Sequence, residues 1–400
     1  MAGAYGGLAK PVRDYYEEIT ARIESNPELF MRFHSGPLSA DVRERIAGFI
    51  GAEADECVLV TNATMAVTTI MKNFMWHAED VIITLGTSYT SINTTAQSLH
   101  DIHPHPSHRV FQLNFPTTHA EIITSFRTFI QSLAKTTPDS DQDVKSGPTT
   151  GTGKIVAIID SICSLPGVLL PWQEMVKTCA EYGVWSVLDA AHSLGQEPNI
   201  NLTESRPDFW FSNAHKWLVS KRACAVMYVP RRNQHIIKTV LPTAHIYPGT
   251  LVQQCEWTGT IDWGLYLSVG AALDFRQWIG GEEKIFAYCH DLALRGSTRV
   301  AEILGTRTLD ETPNRELTLN MADVILPISS SVPGSPEVAL ALKKKMIIDR
   351  KVSASSHYHN GKWMVRCCAQ IYNEMEDFEK LGRLYLEACQ EIEEQFRTAT

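Results

Sequence analysis

Four short apolar runs mark the middle of the chain. They are residues 154–161 ("KIVAIIDS"), 184–193 ("VWSVLDAAHS"), 208–215 ("DFWFSNAH") and 224–230 ("CAVMYVP"). Each is almost wholly apolar until a polar end, the pattern of a strand covered on both faces. A helical pattern runs from Trp172 to Tyr182, between the first two. Upstream, "ECVLVTNATMAVTTIMKNFM" passes from an apolar strand into a helix. There Val67, Ile70, Met71 and Phe74 recur at helical spacing after the cap-type residues Asn62 and Thr64. This alternation predicts an α/β domain with a parallel or mixed sheet between helices.

The last third of the chain has a different pattern. Residues 265–305 and 374–397 read as helices, the second amphipathic and charged. "LNMADVILPI" and "KWMVRCCAQIY" between them read as strands. A smaller α+β domain is expected there. The expected division is an N-terminal segment, 1–30, packing on the small domain, a large domain, 31–260, and a small domain, 261–400. Residues 135–153, "KTTPDSDQDVKSGPTTGTG", read as a solvated loop.

Composition narrows the class. The 400 residues are 44% hydrophobic and 20% charged, with a formal net charge of −9. That acidic balance argues against nucleic acid or an anionic membrane as partner. No apolar run reaches the ~20 residues that span a bilayer. The start, "MAGAYGGLAK", has no basic stretch leading into an apolar one, so no secretory signal is read there. Nine scattered cysteines show no zinc spacing. Reduced thiols in a cytoplasmic enzyme without metal are the expectation.

In open α/β sheets, ligands bind beyond the carboxyl ends of the strands. Asp160 and Ser161, Asp189 and His192, and Ser212 to Lys216 all stand at such ends. A buried lysine with a carboxylate at a neighbouring strand end suits pyridoxal phosphate. That cofactor needs an amine for its Schiff base, a carboxylate at its pyridine nitrogen, a flat group on the ring and a helix N-terminus for phosphate. Lys216, Asp189, Tyr89 and the "TNATMA" turn around Ala63 and Thr64 are the candidates, with Ser212 and His215 as further phosphate contacts. Singly, each has an ordinary explanation: a solvated lysine, a turn aspartate, an N-cap. Their conjunction at strand ends points to chemistry.

The sequence resembles a fold-type I pyridoxal-phosphate enzyme of the class V aminotransferase group. It is similar to the branch holding isopenicillin N epimerase-like proteins, hercynylcysteine sulfoxide lyases and the fungal loline-pathway enzyme. "YGG", "VLVTNATMAV", "DSICSLPGVLLP", "LDAAHSLGQ", "DFWFSNAHKWL", "EWTGTIDW" and "VRCCAQIYN" carry the resemblance. It implies a large domain with a mostly parallel seven-stranded sheet and a smaller C-terminal domain. It also implies roles. Lys216 would bear the Schiff base, Asp189 would pair with the pyridine nitrogen, and His192 would sit near the phenolic oxygen. Tyr89 would stack on the ring. Ala63, Thr64, Ser212 and His215 would bind phosphate, and Thr258 and Gly259 would reach the phosphate of a homodimer partner. Arg366 would anchor a substrate carboxylate, with Asn62 and Ser164 lining the site.

Two departures qualify the resemblance. Gly3, Tyr5 and Gly6 match the "LNHGSYG"-like motif that usually opens such chains, but Ala4 stands where Ser is usual and the strand before it is absent. A truncated start or an altered substrate entrance is implied. Residues 311–349 contain no cysteine, which argues against persulfide-forming desulfurase chemistry.

The leading reading is an amino-acid lyase that cleaves a C–S bond, on a hercynylcysteine sulfoxide-type substrate. Glu256, Trp257 and Trp263 are compatible with an entrance for a cationic moiety, or with a dimer edge. The alternatives are epimerisation, decarboxylation or C–C/C–N bond formation in secondary metabolism, a true aminotransferase, and a non-catalytic dimeric relative.

Overall fold

The computed structural model describes residues 3–133, 153–238 and 249–396. Of the expected loop at 135–153, only Gly153 falls among them. Seven strands form the main sheet: β1 (Cys57–Val60), β2 (Val81–Leu85), β3 (Ser107–Phe111), β4 (Ile155–Asp160), β5 (Trp185–Asp189), β6 (Phe209–Asn213) and β7 (Ala225–Tyr228). Their order is β1-β7-β6-β5-β4-β2-β3, and only β7 runs against its neighbours. This is the fold-type I architecture that the resemblance implies.

Alternation along the strands feeds two cores, one on each face of the sheet. Val156, Ile158 and Val187 pack with the helices Ala63–Asn73 and Thr90–Asp101. Ala157, Ile159 and Leu188 pack on the other side with His119–Leu133 and Trp172–Glu181. The helix Trp263–Trp278 joins this second core through Trp263, Tyr266 and Leu267, beside Val12, Ile19 and Ile23 of Lys10–Ser25. β4, β5 and β6 are buried at every residue, which explains why, Ser186 apart, they stay apolar up to their polar carboxyl ends.

A second sheet has three antiparallel strands, β8 (Met321–Ile325), β9 (Ser355–His359) and β10 (Lys362–Cys368), in the order β8-β10-β9. The helices Gly281–Leu304 and Met375–Phe396 cover it and form a separate core with it. The β9–β10 hairpin turns on Asn360 and Gly361, both at positive φ (45° and 78°), as an Asn-Gly turn requires. Its tip reaches the large sheet's side: Phe115 N–H donates to His359 Nε2 at 3.0 Å, and Asn360 Nδ2 donates to Phe115 O at 3.1 Å. Among the described residues no helix is long and apolar enough to cross a membrane, and no His/Cys/Asp/Glu group could hold a metal ion. No disulfide joins any of the nine cysteines, all of which lie among the described residues.

Candidate active site

The site grows from the carboxyl ends of β4, β5 and β6. Asp160 and Asp189 end neighbouring parallel strands as Cα partners. Past β5, Asp189 Oδ1 accepts the Ala191 N–H at 2.9 Å, and Ser193 N–H closes on Ala190 O at 2.8 Å. This tight turn carries His192 inward. Past β6, one helical turn, Ala214–Trp217, carries Lys216. The two turns meet: Lys216 Nζ lies 3.0 Å from His192 Nε2, and Trp217 Nε1–H donates to His192 Nδ1 at 3.2 Å. The expected trio of Lys216, Asp189 and His192 is therefore assembled from residues spread along the sequence.

A clamp behind the turns holds them. Arg276, 2% exposed, donates from Nη1 to Trp217 O at 2.9 Å and from Nη2 to Gly195 O at 3.0 Å. Its Nε donates to Glu282 Oε1 at 2.6 Å. Gln370 Nε2 donates to Lys216 O at 3.2 Å, and Gln196 Nε2 to His192 O at 2.8 Å. Gly6 presses on the same turn from the chain's start. At φ +66° its Cβ, were there one, would lie 1.7 Å from His215 O, so only glycine fits.

Burial sets the electrostatics. It pushes Asp189 up to about 6, against the Ala191 N–H that favours the anion. Burial, then the Asp189 charge, pushes Asp160 up to about 8. Burial pulls Lys216 down to about 8, while the Asp189 charge pulls the other way. Burial, then Lys216, holds His192 well below the ordinary imidazole range. Burial also lowers His215, whose Nδ1 lies 3.3 Å from Cys224 O.

The helix Ala63–Asn73 begins beyond β1, with its N-terminus on the same side of the sheet. Asn62 Oδ1 caps it by accepting from Met65 N–H at 2.8 Å, and Ala63 N–H donates to Asn213 Oδ1 at 3.1 Å. Thr64 is exposed, its Oγ1 3.1 Å from Ser91 Oγ. Tyr89, at the N-cap of Thr90–Asp101, holds its ring 57% exposed. Ser88, just before it, donates to Asp160 Oδ2 at 2.7 Å. Ser212, expected at the phosphate, is buried; its hydroxyl donates to Ala190 O and accepts from Leu194 N–H at 3.1 Å. In this structure it braces the His192 turn.

Arg366, on β10, is buried and donates from Nη1 to Ser164, both to its carbonyl and, at 3.2 Å, to its Oγ. These two expected residues are thus in contact. Asp323, the Cα partner of Arg366 on β8, accepts from Gly167 N–H, and burial pushes it up to about 7. Among the described residues no hydrogen bond joins Thr258 or Gly259 to the Lys216 group. Trp263 is 2% exposed within the core, and Glu256 pairs with Arg43 at 3.4 Å.

Sequence reasoning left out Trp217, Arg276 and Asp323, and gave Asp160 no role. Asp160 was visible as a strand end, but not as the in-register neighbour of Asp189. Nothing in the sequence says that the indole beside Lys216 turns its N–H to His192.

The class-V aminotransferase family model matches residues 141–381. The chain is 31% identical to the L-cysteine desulfhydrase-like protein lolT1 of Epichloe uncinata, over 96% of this chain and 90% of that one. It is 26% identical to the hercynylcysteine sulfoxide lyase of Schizosaccharomyces pombe, over 97% and 93%. A solved structure of a C-DES mutant, with glycine covalently linked to its PLP cofactor, superposes with a TM-score of 0.73 at 15% identity, over 94% and 93%. The strand-end cluster, the two-sheet architecture and these similarities converge, and the chain belongs to the class-V aminotransferase family.

Proposed function

We propose that this chain is a pyridoxal-phosphate-dependent lyase that cleaves the C–S bond of a cysteine-derived amino acid. The observation that carries this is the buried Lys216–His192 contact beside the Asp189 carboxylate, at the carboxyl ends of the parallel strands. The residues fit the cofactor. Two buried carboxyls stand side by side with a raised affinity for protons, so a cationic ring nitrogen would relieve them. An 11-residue helix opens toward the same side with its N-terminus, which suits a phosphate.

When bound, the cofactor supplies an aldehyde to Lys216 and a ring that draws electrons from the substrate's α carbon. Asp189 would hold the ring nitrogen protonated, His192 would serve the phenolic oxygen, and Tyr89 would offer its ring for stacking. Ala63 and Thr64 at the helix start would bind phosphate, with His215 behind them, while Ser212 braces the His192 turn. Lys216 Nζ takes the α proton. Arg366, with Ser164 and Asn62, orients the substrate carboxylate, a planar task that suits a guanidinium. In net terms, a cysteine S-oxide and water give a sulfenic acid, pyruvate and ammonium, and a cysteine thioether gives a thiol in the sulfenic acid's place.

Within that class, a hercynylcysteine sulfoxide-type substrate is the proposed one. The similar lyase of Schizosaccharomyces pombe supports it. The proposed assembly is a two-fold dimer in which Thr258 and Gly259 complete the partner's phosphate site. Gly259, at φ +115°, has nothing within 4 Å of where a Cβ would be, which leaves open space at this one position between Trp257 and Ile261, which pack against the core. The proposed setting is the cytosol, where nine cysteines outside any disulfide stay reduced.

The test is a screen of cysteine conjugates and their sulfoxides with cofactor-loaded protein, scored for pyruvate, ammonia and sulfur products. Borohydride reduction should leave a phosphopyridoxyl group on Lys216. A loaded protein that racemises or transaminates amino acids but releases no sulfur product would overturn the lyase reading.

A further inference from the structure

Lys216 does not face His192 alone. Trp217 holds the far side of the imidazole, and its indole can only give a proton to a hydrogen bond, never accept one. His192 Nδ1, 3.2 Å from that N–H, must therefore present a lone pair. A neutral imidazole with a bare Nδ1 carries its proton on Nε2. Nε2 is the atom 3.0 Å from Lys216 Nζ. With an N–H already aimed at it, Nζ must accept, and only an uncharged amine has a lone pair for that. An ammonium would crowd two donors into the gap, and an imidazolium would set a second N–H against the indole.

We infer that Trp217 is a positioning residue: it locks His192 in the Nε2–H tautomer, so that His192 donates to Lys216 Nζ and keeps it a free amine. The other charges around the pair leave the matter open for this lock to decide. Asp189 and Asp160 draw Lys216 toward the ammonium, and Arg366 opposes them. Arg366 and His215 both disfavour a proton on His192. With burial, these leave Lys216 at about 8, within reach of one hydrogen bond at neutral pH.

The consequence deepens the proposed function and rests on it: a free amine is the form of lysine that condenses with an aldehyde. The tautomer itself rests only on the hydrogen bonds. Solid-state ¹⁵N spectra of the full chain, histidine-labelled and cofactor-free, read it directly, with the His192 signal assigned by its loss in His192→Gln. At neutral pH, His192 should show a bare Nδ1 and a protonated Nε2. In Trp217→Phe, which keeps an aromatic ring but no N–H, the signal should spread over both tautomers. The pH midpoint for bonding pyridoxal phosphate to Lys216 should then rise by about one unit.

A proton on Nδ1 in the wild-type protein overturns the inference. So does a Trp217→Phe protein with unchanged tautomer and midpoint. If that variant does not fold, the wild-type spectrum decides alone. A wild-type protein that shows the Nε2–H form but bonds no pyridoxal phosphate would sink the proposed function and leave the tautomer lock standing.

Discussion

Asp160 and Asp189 stand opposite each other at the ends of β4 and β5, two buried carboxyls with no lysine or arginine in an ion pair with either among the described residues. Each makes the other harder to ionise. The consequence for stability has a definite sign. Asp160, raised from 3.8 to about 8, supports the folded cofactor-free protein at low pH and loses that support as pH rises through 8. Asp189 does the same through about 6. Lys216, lowered from 10.5, acts in the opposite sense and only toward the alkaline end of the range. The cofactor-free protein should therefore lose thermal stability between about pH 4 and pH 8. Asp160→Asn should flatten that slope in melting curves taken across the range. A slope identical to wild type would show that the pair is not its source.

Asp189→Asn separates charge from shape. Asparagine can still accept the Ala191 N–H, so the His192 turn should keep its form. The ring nitrogen would lose its anionic partner. Turnover should fall by about 10²–10³, the range seen when one preorganised electrostatic partner is removed. Steady-state kinetics with far-UV circular dichroism as the folding control would check this. Near-normal turnover would mean that another acid serves the ring.

Arg276→Met tests the clamp behind the two catalytic turns. Its loss leaves Trp217 O and Gly195 O without their donors in a buried setting. Each orphaned carbonyl costs about 1–3 kcal/mol, so a loss of about 2–6 kcal/mol is expected in urea unfolding. Glu282→Gln should cost less, because Glu282 is partly solvated and its amide can still accept. Equal losses in the two variants would mean that the ion pair, not the two carbonyls, sets the energy.

The shared-site proposal is open to complementation. A Lys216→Ala chain and a chain disrupted at Thr258 and Gly259 should each be inactive alone. Mixed, they should regain part of the activity, because some heterodimers would hold one intact pocket. Heterodimers seen by native mass spectrometry without returning activity would remove Thr258 and Gly259 from the site.

The apolar runs made β4 to β7 legible because strands buried on both faces have no polar residues to dilute the signal. β3 went unread for the opposite reason: as an edge strand it is exposed at Arg109 and Val110. β9 could have been found, since Asn360-Gly361 before an apolar run is a strong hairpin signal. At the site, polar residues at strand ends announced Asp189 and Lys216. Register, however, is a tertiary fact. Only the pairing of β4 with β5 brings Asp160 to Asp189, and only the packing of Trp263–Trp278 brings Arg276 behind Lys216.

The glycine at position 6 has a consequence for synthesis. Its seat is the carbonyl of His215, far downstream. A ribosome releases the start of the chain long before it has made the surface on which that start rests. The residues around Gly6 must wait, unseated, until the Lys216 turn has emerged and closed, so a segment made early is among the last to find its place.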